Sequence, residues 1–123
     1  MVKELLLVGL GGGVGSILRY LSVFLSNKMF PVAFPVGTFF VNVLGCLILG
    51  LLIGLIDHQH ILSESHRFLF ITGFCGGFTT FSAFSAESLH MFENGNVLLG
   101  ITYIGVSILV GLLAVWLGIY LLK

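Results

Sequence analysis

Four apolar stretches, residues 4–26, 35–56, 67–91 and 97–122, take up nearly all of this 123-residue chain. Each is close to the roughly 20 residues a helix needs to cross a hydrocarbon core of about 30 Å. Lipid offers no partner to a main-chain N–H or C=O, so segments of this kind are confined to helices. The pattern predicts an all-α membrane protein, a single four-helix transmembrane domain over residues 1–123, with the lipid bilayer as its solvent. Composition supports that class: 58% of residues are hydrophobic and 8% charged, and the mean hydropathy of +1.17 lies outside the range of soluble domains. Five basic and five acidic side chains leave no net charge. No field exists to gather a polyanion, and nucleic-acid binding is set aside. Lys3 precedes the first apolar run, but that run is long and lacks a small-residue cleavage site. It reads as a retained helix, not a removable signal.

The connections are short. In Ser26-Asn27-Lys28-Met29-Phe30-Pro31, Pro31 stops one helix and Pro35 fits the first turn of the next. Residues 57–66, which include Asp57, His58, His60, Glu64 and His66, form the wettest part of the chain, and a solvated interfacial loop accounts for their histidines without a metal. Glu93-Asn94-Gly95-Asn96 is a tight turn that makes the last two spans antiparallel neighbours. Basic residues near the helix ends are almost balanced between the two sides: Lys3, Arg67 and Lys123 on one, Lys28 and Arg19 on the other. So weak a bias permits insertion in either orientation, and two copies could then pair head to tail across the midplane.

Lipid gives helices no hydrophobic reason to associate, so close backbone approach must hold them. Gly9 with Gly13, Gly11 with Gly15, Gly50 with Gly54 and Gly73 with Gly77 all have the G-x-x-x-G spacing, and their density argues for an oligomer. Cys46 and Cys75 lie in apolar, glycine-rich runs, where small thiols pack and no disulfide framework is indicated.

Two segments carry polar chemistry. Thr38, Asn42 and Cys46 recur every four residues and so share one face of the second helix. The Asn42 amide needs a partner there: another helix, water or a permeating ligand. In the third span, Thr72-Gly73-Phe74-Cys75-Gly76-Gly77-Phe78-Thr79-Thr80-Phe81-Ser82-Ala83-Phe84-Ser85 places two adjacent glycines before two β-branched threonines, which weakens a helix. A break is predicted at this point, near the bilayer midplane. Freed carbonyls at such depth suit a cation. Phe70, Phe74, Phe78 and Phe81 form a packing ridge by spacing, though phenylalanine ring edges are electropositive and can attract an anion.

The run Gly73 to Glu87 resembles the signature of the Fluc (CrcB-type) family of fluoride ion channels. Gly37-Thr38-Phe39-Phe40-Val41-Asn42-Val43-Leu44-Gly45-Cys46 resembles that family's second-helix motif, and Gly12-Gly13-Val14-Gly15-Ser16-Ile17-Leu18-Arg19-Tyr20 its first. The likeness covers essentially the whole chain. It implies a dual-topology antiparallel dimer, of identical chains or with a paralogue, that passively exports fluoride across the cell membrane. A structural sodium ion (Na+) is implied at the dimer centre, bound by the main-chain carbonyls of Gly76 and Thr79. Along the implied fluoride pathway lie Asn42 as amide donor, Ser82 and Thr38 as hydroxyls, Phe81 and Phe84 as ring edges, and Tyr103. Arg19 would make a vestibule electropositive, and Glu87 would lie near a vestibule mouth. Ala83 departs from the family, where threonine is common, so one hydroxyl of the polar track is missing.

Other classes leave recognisable traces. A small proton-coupled multidrug exporter needs a carboxylate inside the membrane, and Glu87 is the one candidate. A noncatalytic assembly subunit would use its glycine faces for packing alone. Glu87-Ser88-Leu89-His90 has the Glu-x-x-His spacing of di-metal enzymes, but those sites need a second copy and more carboxylates. No enzymatic function is expected.

Overall fold

A computed structural model describes residues 1–58 and 62–122. His60 and Lys123, named above for the loop and the charge balance, lie outside the described residues. The described chain is all-helical, and four of its spans are long and apolar enough to cross a membrane. They are α1 (Val2–Met29), α2 (Val36–Asp57), the composite third span Glu64–Glu93, and α6 (Val97–Leu121). The protein is therefore a multi-pass membrane protein.

Most helix ends run past the apolar runs, because hydropathy falls at the first polar residue while helical hydrogen bonding continues through it. Lys28, in the last turn of α1, illustrates this: its ammonium group lies 4.7 Å from the centre of the Phe24 ring, so the stem stays with the helix while the charge reaches outward. Pro35 stands one residue earlier than expected, as the N-cap before Val36. At the last turn Gly95 adopts φ 84°, a left-handed value that a β-carbon disfavours, and its N–H donates to Phe92 O at 3.1 Å.

The third span changes winding several times. A short α3 (Glu64–His66) leads into a π-helical stretch, Arg67–Cys75, and then α4 (Gly76–Phe78). Thr79 (φ −89°, ψ 159°) and Thr80 (φ −148°, ψ 117°) are extended, and α5 (Phe81–Glu93) resumes after them. Long π-helical stretches are rare and tend to mark functional segments.

Helix α1 packs along the π-helical stretch and α4, while α2 packs most extensively on α6. Glycine makes both contacts possible. A β-carbon on Gly15 would collide with the main-chain oxygen of Phe74, and one on Gly77 with that of Gly12. Between α2 and α6, Gly50 meets Val115 O and Gly118 meets Leu47 O in the same way. Gly9 and Gly13, by contrast, have nothing within 4 Å and present an open face of α1. Large side chains such as Phe81 and Leu98, each 79% exposed, point outward, whereas Tyr103 and Val41 are fully enclosed. Both cysteines are free thiols, Cys75 buried and Cys46 half-buried.

Candidate functional site

The extended pair Thr79–Thr80 organises the polar interior. In a continuous helix the Thr80 N–H would donate to Gly76 O. Here it donates to Asn42 Oδ1 at 2.7 Å, and Asn42 Nδ2 donates back to Thr80 O at 3.1 Å. The side-chain amide of α2 thus satisfies both main-chain groups of one residue in the third span. The Thr79 N–H and Oγ1 both donate to Cys75 O, at 3.1 and 2.8 Å, which closes the preceding turn. Thr80 Oγ1 accepts from Ala83 N at 3.2 Å and so caps α5. The same oxygen lies 3.2 Å from Ser82 Oγ.

On the α1 side, Arg19 Nε donates to Gly77 O at 2.9 Å. A guanidinium there takes a carbonyl left over at the C-terminal end of α4 and opposes the partial negative charge of that end. Arg19 is half-buried in this position.

Beside the extended pair lies a groove of about 380 Å³, walled by Asn42, Gly45, Cys46 and Leu49 of α2 and by Ile71, Cys75, Gly76, Thr79, Thr80, Phe81 and Phe84 of the third span. Five sequence-selected residues therefore share one surface: Asn42, Phe81, Phe84, Gly76 and Thr79. Ser82 is not among the lining residues. Asn42 uses one amide hydrogen on Thr80 and keeps a second. The rings of Phe81 and Phe84 sit 6.0 Å apart at 46°, a tilt that offers ring edges as well as faces.

Thr38, Glu87 and Tyr103 form a second cluster next to the first. Thr38 Oγ1 donates to Glu87 Oε2 at 2.7 Å, and Tyr103 OH donates to Oε1 at 2.9 Å. Thr38 is 2% exposed and Tyr103 fully buried, so the carboxylate is held inside the bundle by two hydroxyls, one from α2 and one from α6. Phe84 links the clusters, its ring 5.1 Å from that of Tyr103. Phe34 then packs edge-on to Tyr103 at 5.3 Å. A continuous aromatic series therefore runs from the exposed Phe81 to Phe34.

Two contributors escaped sequence reading, and Thr80 is legible there as part of the predicted break but not as a cap of α5. Phe34 carried no signal beyond its position in a connection. Ser107 Oγ, one turn after Tyr103 on α6, is buried with no hydrogen-bond partner among the described residues, and only a fold reveals that. No group of three or more His, Cys, Asp and Glu side chains that could hold a metal occurs among the described residues.

The CrcB family profile, described as CrcB-like protein, Camphor Resistance (CrcB), matches residues 6–119. The chain belongs to the CrcB family. Its CrcB relatives include a protein of Flavobacterium psychrophilum, 42% identical over 122 residues, covering 99% of this chain and 98% of the relative. Relatives from Azobacteroides pseudotrichonymphae (46% identical, 96% and 94% covered) and Gloeothece citriformis (48%, 98% and 97%) are similar along their length too. Each of the three is named fluoride-specific ion channel FluC. CrcB membership extends over both clusters, since Thr38, Asn42, Gly76–Phe84, Glu87 and Tyr103 all fall inside the matched residues.

Proposed function

We propose that this CrcB protein is a fluoride-selective channel of the cell membrane that lets fluoride leave the cytoplasm passively, driven by its gradient and the membrane potential. The observation that carries this is the convergence of Asn42, Phe81 and Phe84 on one groove in a chain whose relatives are named fluoride channels. Fluoride is small and strongly hydrated, so a route for it must replace water with other donors. The spare Asn42 amide hydrogen and the ring edges of Phe81 and Phe84 supply such contacts without a formal positive charge that would trap the ion. Thr38, Ser82 and Tyr103 are assigned to the same route beyond the groove, Thr38 and Tyr103 meeting at Glu87. Arg19 supplies positive potential, and Glu87 fixes the orientation of Thr38 and Tyr103. No covalent bond is made or broken, and the protein is not an enzyme.

The functional unit in this proposal is a dual-topology antiparallel dimer, its third span interrupted near the bilayer midplane at Thr79–Thr80. The proposed unit includes a structural sodium ion held by the main-chain carbonyls of Gly76 and Thr79. Gly76 is exposed, a β-carbon on it would meet nothing within 4 Å, and Asn42 has taken the N–H that would otherwise occupy its carbonyl. Neutral carbonyl oxygens are hard ligands suited to a hard cation. Two from one chain leave room for a second copy to complete the shell. The bound ion would supply positive charge at the junction of the subunits. A C-terminal tag that labels from one membrane face alone would contradict dual insertion.

An exporter using Glu87 as its proton-binding carboxylate is not favoured, because the relatives are named as channels and both Glu87 oxygens already hold hydroxyl donors. Fluoride efflux from liposomes tests the pathway: Phe81→Ile and Asn42→Ala should each reduce it while leaving the dimer intact. If both variants conduct like the parent, the pathway lies elsewhere.

A further inference from the structure

We propose that Asn42 is a positioning residue: by pairing both ways with the Thr80 main chain it holds Thr79–Thr80 extended, and so couples the cation seat to the anion groove. This rests on the channel and sodium proposals above, and it adds a role for Asn42 that donation to an anion does not require.

The geometry selects one backbone state. A residue in a helix points its N–H and C=O in opposite directions along the axis, so one side-chain amide cannot reach both. A residue in extended conformation turns both groups to the same side, as in an antiparallel strand pair. Asn42 makes both bonds to Thr80, at 2.7 and 3.1 Å, and Thr80 has strand-like angles, φ −148° and ψ 117°. The amide acts as one residue of a partner strand, delivered by a helix.

The competing state is a continuous helix. In it the Thr80 N–H would return to Gly76 O, the carbonyl would be consumed, and the Asn42 amide would be left unpartnered in an apolar bundle, where unsatisfied polar groups are costly. The Thr80 Oγ1 cap on Ala83 N and the Arg19 bond to Gly77 O favour the interrupted state as well, but neither reaches the Thr80 N–H. Asn42 alone captures the hydrogen that competes for the Gly76 carbonyl. Asn42 also lines the groove with Phe81 and Phe84, and one of its amide hydrogens is left over for that side. A single side-chain amide thus stands between the two ion sites, its oxygen on the Thr80 N–H and its nitrogen on the Thr80 carbonyl.

The test compares the parent, Asn42→Ala and Phe81→Ile as purified full-length protein. Two quantities are read: the Thr80 Cα chemical shift in 13C-threonine-labelled protein, and the dissociation constant for 22Na+ by equilibrium dialysis. In Asn42→Ala the Thr80 shift should leave the extended range for the helical one, and sodium affinity should fall about tenfold or more, the scale of losing the clamp's hydrogen bonds. Phe81→Ile should change neither. If Asn42→Ala does not fold, Asn42→Gln takes its place; it keeps an amide but overshoots both Thr80 groups, and the same two changes are expected. Unchanged Thr80 shift and unchanged sodium affinity in Asn42→Ala would overturn the proposal. A parent chain that binds no 22Na+ refutes the sodium seat and with it the coupling, while the Thr80 shift still decides whether Asn42 sets the backbone.

Discussion

Tyr103 donates its hydroxyl to Glu87 Oε1 at 2.9 Å across the α5–α6 contact, and Thr38 of α2 holds the other carboxylate oxygen at 2.7 Å. Three spans therefore meet on one acidic side chain. Removing either donor takes a hydroxyl from the half-buried Glu87 carboxylate, which costs about 1–3 kcal/mol. Tyr103→Phe and Thr38→Val should each lower the thermal unfolding midpoint in detergent. Because both act on one group, the double variant should lose less or more than the sum of the two, not the sum itself. Strict additivity would mean that the two hydroxyls do not share Glu87.

Arg19 joins α1 to the third span through Gly77 O. A hydrogen bond from a charged donor contributes about 1.5–3 kcal/mol, so Arg19→Ala should destabilise the fold by that order. Arg19→Lys keeps the charge but lacks the planar guanidinium nitrogen that makes the contact, so it should recover only part of the loss. Chemical or thermal unfolding of the three proteins checks the order. Full recovery in Arg19→Lys would make charge, not the Nε contact, the relevant property.

Gly15 and Gly105 should respond oppositely to alanine. A β-carbon at Gly15 strikes Phe74 O, a main-chain atom that can move only with its helix, whereas Gly105 has nothing within 4 Å. Gly15→Ala should cost about 1–3 kcal/mol through overpacking, and Gly105→Ala should be neutral or slightly stabilising. Yield of folded protein and unfolding midpoint distinguish the two.

Physical range explains what could be read from the chain. The four spans were legible because apolar length is a local property, and so was the shared face of Thr38, Asn42 and Cys46, fixed by helical spacing. Helix ends were less so, since Lys28, Asp57 and Glu93 interrupt hydropathy without interrupting hydrogen bonds. Contacts between distant residues left no local trace. Thr38 and Glu87 are 49 positions apart and Arg19 and Gly77 are 58, so neither the hydroxyl clamp on Glu87 nor the Arg19 contact could be foreseen from spacing. The π-helical winding of Arg67–Cys75 likewise has no signature in residue type, because Phe and Gly occur as freely in α-helices that pack.

Parallel fluoride and chloride efflux from liposomes containing the purified protein addresses the central claim most directly. Fluoride should leave on the order of tenfold faster than chloride or more, as expected of a pore whose donors replace the water of the smaller ion. Equal efflux of both ions, or fluoride retained as in protein-free liposomes, would contradict a fluoride-selective pathway through the groove of Asn42, Phe81 and Phe84.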